Sequence, residues 1–293
     1  MGPEHTLSPS ALEAAIACVL LGASLALWIR RLRRDEAPDA DSDREVPPWR
    51  LNWVDFGILV CGIIGAIVLL QILVAPAIPS EWSSPDSGKR PWLAVIGLLL
   101  FHVPMFGVYY YARRLYPHLF GGNPNVRPLA LLNAMRGALT QFLLYLPLVW
   151  LAAFLWSVLL SVLHHAGLIK DPEPQDLVSL FVSGGHPVAI ALLVLFAIAL
   201  APVVEEIIFR GGLYRFLKSQ TPRGTAQVLS GGFFALIHGN LLSFFPLFVL
   251  GVLLARVYET YGNLLVPIFF HAYFNSLTLI TLFLLHQSGH NLQ

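Results

Sequence analysis

Ala201-Pro202-Val203-Val204-Glu205-Glu206-Ile207-Ile208-Phe209-Arg210-Gly211-Gly212-Leu213-Tyr214-Arg215 continues an apolar run that begins at Pro187, and it sets two adjacent carboxylates and a guanidinium where hydrocarbon is expected. Each charge near the middle of a membrane helix costs about 2.5–3.5 kcal/mol on insertion scales, so several together mark a functional site or a buried ion pair. On a helix, positions 206 and 210 are four apart with the acid first, the favourable order for an ion pair. Glu205 lies about 100° around the helix and has no evident intrahelical partner. This divides the pair: Glu206 structural, Glu205 suited to general acid or base chemistry. The stretch alone equally allows both carboxylates to salt-bridge to Arg210 and Arg215.

Working outward, the 293 residues are 56% hydrophobic and 12% charged, with mean hydropathy +0.69. Ordinary globular domains are about 25% charged. Too little polar surface remains for a soluble protein of this length, so the expectation is an all-α polytopic membrane protein of about eight transmembrane helices. Apolar segments run over residues 11–29, 53–75, 92–112, 137–163, 187–218, 224–238, 244–258 and 264–285. Between them lie the Arg/Asp/Pro-rich loop 30–50, the Pro/Asn/Gly-rich loop 115–134 and the break Gly184-Gly185-His186-Pro187. We divide the chain into an N-terminal region of spans and loops, 1–136, and a C-terminal helical bundle, 137–293. The net charge of +1 gives no argument for nucleic acid as a partner. Cys18 and Cys61, both within apolar segments, read as core packing.

Positive charge orients the layout. With both termini outside, the inner segments hold Arg30, Arg31, Arg33, Arg34, Arg44, Arg113, Arg114, Arg127, Arg136, Lys218, Arg223 and Arg256 among others, whereas the outer ones hold only Lys89, Arg90 and Lys170. This pattern, without an organelle signal, suits the inner membrane of a bacterium.

Two further polar insertions fall in apolar segments: Phe234-Ala-Leu-Ile-His238 and His271-Ala-Tyr-Phe-Asn275. At 1.5 Å rise per residue, Glu205, His238, His271 and Asn275 are expected roughly 20, 25, 12 and 18 Å above the inner turns of their helices, depths that overlap enough for all four to meet. His102, alone near Pro104 in the third span, reads as a hydrogen-bonded core residue. Gly211, Gly212, Gly231, Gly232 and Gly239 crowd the motif helices, where small residues permit close helix approach.

Glu205-Glu206-x-x-x-Arg210, Phe234-x-x-x-His238 and His271-x-x-x-Asn275, in this order and all in apolar helices, resemble the motifs of the CAAX-protease and bacteriocin-processing family (CPBP, or Abi) over residues 187–285. The resemblance implies an intramembrane endopeptidase acting on membrane-associated proteins, prenylated or leader-bearing, in the lipid bilayer. It implies that Glu205 and His238 activate the attacking water, that His271 and Asn275 bond the oxyanion, and that Glu206, Arg210 and Phe234 support the site. Glu205, His238 and His271 could together hold zinc, but no HExxH pair is present, and a glutamate-dependent mechanism without metal is preferred. Two other functions account for the same residues: a non-proteolytic immunity or partner-binding protein of the same fold, and a proton-coupled transporter.

Overall fold

Apolar segments of this length satisfy their backbone groups only by closing them internally, and the chain does so with helices. The computed structural model describes residues 9–33, 46–84, 87–172, 180 and 185–287; Arg34, Arg44 and Gly184, named above, lie outside the described residues, as do residues 1–8 and 288–293 at the two ends. Eight long helices are present among the described residues: α1 Pro9–Leu32, α2 Trp53–Val74, α3 Arg90–Leu115, α4 Leu131–His165, α5 Pro187–Gln220, α6 Arg223–Ile237, α7 Leu241–Tyr261 and α8 Leu265–Gln287.

Seven of the eight are long and apolar enough to cross a membrane, which makes this an all-α integral membrane protein. The exception is the sixth helix, which matches the short apolar segment expected over 224–238. Helix α6 has 15 residues and is about 22 Å long, short of the roughly 30 Å hydrocarbon core. Helix ends follow local chemistry. The Asn52 side chain accepts the Asp55 N–H at 2.9 Å and starts α2. The Asn240 side chain accepts from the Ser243 N–H at 3.0 Å, which starts α7 three residues before the expected Phe244. Gly262 ends α7 in the left-handed region at φ 59°, a conformation glycine adopts without penalty.

Helices α4, α6, α7 and α8 share one core, in which Phe142, Leu146, Phe234, Leu250, Leu254 and Phe270 are buried. A second core forms where Val46–Leu51 folds under the end of α5, joining Trp49, Tyr109, Tyr214, Phe216 and Tyr258. Large side chains such as Val19, Ile58, Leu73 and Phe154 stay exposed on the outer helices, as a lipid-facing surface requires. Cys18 and Cys61 are free thiols on that surface, not core residues: α1 and α2 lie at the periphery, and an apolar segment there has most of its surface turned to lipid.

The motif glycines divide in the structure. A Cβ on Gly231 would lie 2.8 Å from the Val252 backbone nitrogen and 2.9 Å from the Phe248 carbonyl, and one on Gly251 would lie 2.8 Å from Gly231 Cα. These two glycines are therefore the point where α6 and α7 cross. Gly211 and Gly212 admit Leu264 and Trp49 at 3.3 and 3.0 Å, whereas Gly232 and Gly239 face open space, Gly239 at φ +58°. Because Gly231 meets backbone, which cannot swing aside, Gly231→Val is expected to cost about 1–3 kcal/mol of stability by overpacking. Gly232→Ala should leave the thermal midpoint of the purified protein near that of the unsubstituted chain.

Candidate active site

Helix α5 is not uniformly α-helical. Two π-helical turns, Phe196–Leu200 and Phe209–Tyr214, bracket the α-helical segment Ala201–Ile208 that carries both glutamates. The first has a cause in sequence. The Ala201 N–H reaches back five residues to the Phe196 carbonyl, and Pro202 has no N–H to offer. The Ala197 carbonyl is left for a partner outside the helix, and Asn275 Nδ2 on α8 donates to it at 2.8 Å. Turns of this kind inside α-helices are often found at functional sites.

Glu206 and Arg210 form a fully buried pair, with Arg210 Nη1 2.8 Å from Glu206 Oε1 and both side chains at 0% exposure. Arg210 Nη2 donates to the Gly251 carbonyl at 3.1 Å, which ties the pair to the α6–α7 crossing. Its guanidinium carbon lies 4.6 Å from the Phe234 ring centroid, a cation–π contact strengthened by the absence of water. Glu206 Oε1 also takes His271 Nδ1 at 3.0 Å. The alternative in which both carboxylates pair with Arg210 and Arg215 is set aside by this geometry. Arg215 instead donates from Nε to the Pro47 carbonyl at 2.7 Å and from Nη2 to the Gly121 carbonyl, holding two loops under the end of α5. Lys218 and Tyr214 secure the same end on Glu259 of α7, at 2.5 and 2.7 Å.

Glu205 is the partly open member, its side chain 14% exposed. Oε1 lies 3.3 Å from His102 Nε2 and Oε2 lies 4.0 Å from His271 Nε2. His238 is also within electrostatic reach of Glu205. Its Nδ1 meets the Phe234 carbonyl at 2.7 Å; a carbonyl only accepts, so Nδ1 carries the hydrogen and Nε2 is the basic nitrogen of the neutral ring. Phe234, completely buried, is the hub: its ring centroid lies 4.8 Å from that of His238 and 5.6 Å from that of His271. The structure thus brings Glu205, Glu206, Arg210, Phe234, His238 and His271 into one cluster, with Glu205 and His238 at its partly open side. Asn275 joins α8 to α5 through Ala197, within the first π-helical turn.

His102 was not among the expected site residues. It is buried and hydrogen-bonded, as a core histidine should be, but its partner is Glu205. One signal was present in the sequence. His102 stands about 11 residues before Arg113, hence roughly 17 Å from the basic end of its span, close to the depth of Glu205.

No three His, Cys, Asp or Glu side chains among the described residues stand in metal-holding geometry. As placed, the donors of a zinc site do not converge, and we derive no step through a metal.

The comparison with protein families decides what this cluster is similar to. Residues 187–277 match the family model of type II CAAX prenyl endopeptidase Rce1-like proteins. This bears out the resemblance to the CAAX-protease family over the segment that carries all three motifs. No curated protein and no solved structure matches the chain.

Within the Rce1-like segment, the buried ion pair sets a stability test. Removing one partner of a buried pair leaves the other charge uncompensated and costs about 3–5 kcal/mol. Arg210→Met is therefore expected to lower the thermal midpoint sharply. Arg256→Met, on the exposed face of α7, should change it little.

Proposed function

We propose that the chain is an intramembrane endopeptidase of CAAX-protease type, hydrolysing a peptide bond of a membrane-associated protein with a Glu205-activated water and no required metal. The observation that carries the proposal is the asymmetry between two neighbouring carboxylates. Glu206 is fully buried and committed to Arg210 and His271. Glu205 is partly open, its side chain 14% exposed, and no arginine pairs with it among the described residues; Oε2 of both carboxylates is buried without a hydrogen-bond partner there, so exposure and the ion pair are what separate them.

Peptide hydrolysis needs a base for water, a donor to the oxyanion and a proton for the leaving amine. Glu205 Oε2 takes the proton as water oxygen bonds to the scissile carbonyl carbon, and His238 Nε2 accepts the water's other hydrogen as a hydrogen bond that orients the attack. His271, held through Nδ1 by Glu206, presents Nε2 toward Glu205 and the reacting carbonyl; when both ring nitrogens are protonated, Nε2–H donates to the oxyanion. Asn275 spends one N–H on Ala197 and has a second for the same oxygen. As the C–N bond breaks, Glu205 returns its proton to the departing nitrogen. The Rce1-like match supports this chemical class, and the low charge of the surrounding helices supports a membrane-embedded substrate. We place the protein in a bacterial inner membrane with its N-terminus outside, on the Lys/Arg distribution.

Terminus-resolved proteomics of membranes carrying the wild-type protein or Glu205→Ala tests the proposal. Protein termini present with the wild type and missing with Glu205→Ala are expected; identical sets of termini would leave the partner-binding or transporter reading in its place. Cleavage by the purified protein should persist in the presence of EDTA or 1,10-phenanthroline, and its loss to chelator with recovery on added zinc would overturn the metal-independent step.

A further inference from the structure

His102 lies on α3, outside the segment that matches the Rce1-like family, and none of the three motifs includes it. Its ring is fixed on several sides. Nδ1 stands 2.9 Å from the Leu98 carbonyl, the ring meets Phe101 and Phe196 edge-on at centroid distances of 5.2 and 4.9 Å, and the residue is 4% exposed. Because Leu98 offers only an acceptor, Nδ1 holds a hydrogen. Nε2, 3.3 Å from Glu205 Oε1, then bonds that carboxylate only through a second hydrogen shared between them; two bare lone pairs would otherwise face each other in a buried site.

The contact makes the two oxygens of Glu205 unequal. Oε1 is taken by His102. Oε2 has no hydrogen-bond partner among the described residues and looks toward His271. A glutamate side chain has three rotatable torsions, and no other hydrogen bond to its carboxylate is present among the described residues. We propose that His102 is a positioning residue: it fixes the plane of the Glu205 carboxylate through Oε1 and so leaves Oε2 as the oxygen that works on water. The proposal rests on the reading of Glu205 as the base. It brings α3 into the active site, so the N-terminal half of the chain contributes to the geometry of chemistry otherwise carried by α5, α6 and α8.

The test compares His102→Phe, His102→Gln and Glu205→Ala with the wild type in reconstituted vesicles, on an internally quenched peptide ending in a farnesylated cysteine followed by three residues. His102→Phe keeps a ring against Phe101 and Phe196 and removes both nitrogens; if it is not recovered folded, as judged by its thermal midpoint, His102→Ala takes its place. Loss of orientation at a reacting group lowers turnover on the order of 10–100-fold, so His102→Phe is expected to lower kcat by that factor with KM changed by less than about twofold. His102→Gln, whose amide N–H reaches about the position of Nε2, should recover most of the lost kcat. A merely structural role would lower both variants' thermal midpoints and would not separate kcat from KM. Wild-type kcat in folded His102→Phe, or folded His102→Gln no better than His102→Phe, overturns the positioning role while an inactive Glu205→Ala leaves the base intact. Cleavage by Glu205→Ala, or none by the wild type, overturns the reading of Glu205 and the proposal with it.

Discussion

The ion pair of Glu206 and Arg210, fully buried at 2.8 Å, is the constraint on which the rest of the molecule depends. A bare carboxylate or guanidinium at this depth would be driven toward water, and only mutual compensation with further hydrogen bonds holds both in place. Each further bond reaches a different helix. Arg210 takes the Gly251 carbonyl of α7, Phe234 of α6 lies against the guanidinium, and Glu206 takes His271 of α8. One pair on α5 therefore fixes the relative positions of three other helices. The close crossing at Gly231 and Gly251 lets the α7 backbone come near enough to serve as acceptor.

Against that fixed frame Glu205 is the residue with freedom to act. The same turn of helix that points Glu206 into the core points Glu205 toward His102, His238 and His271, with one oxygen bonded and one not. Reactive groups held on rigid elements lose little orientation before reaction. Here the rigidity comes from π-helical turns on either side and from Asn275, which occupies a carbonyl that Pro202 cannot help to satisfy. The break in α5 is thus part of the site: it frees the Ala197 carbonyl that docks α8 against α5.

Much of this was legible in the sequence. Long apolar segments specify helices, the i, i+4 spacing of Glu206 and Arg210 specifies their pairing, and three motifs at matching depths specify a shared location. What escaped has physical reasons. The π-helical turns arise from a competition for backbone hydrogen bonds that hydropathy does not register. Cys18 and Cys61 looked like core residues because lipid-facing and core-facing positions of a membrane helix have the same composition. A salt bridge from the two carboxylates to Arg210 and Arg215 was the open alternative, and loops distant in sequence, at Pro47 and Gly121, instead supply the acceptors for Arg215. His102 belongs to no motif, and its bond to Glu205 joins residues 103 positions apart.

Two adjacent carboxylates of nearly identical chemistry have separate duties, and isosteric neutralisation of each tests that division. Glu205→Gln and Glu206→Gln should be purified side by side, with thermal midpoint and peptide cleavage measured for both. Glu205→Gln is expected to keep the wild-type midpoint and lose cleavage, whereas Glu206→Gln should lose a large part of its thermal stability because Arg210 is left buried without its counter-charge. Full stability in Glu206→Gln, or retained cleavage in Glu205→Gln, would contradict it.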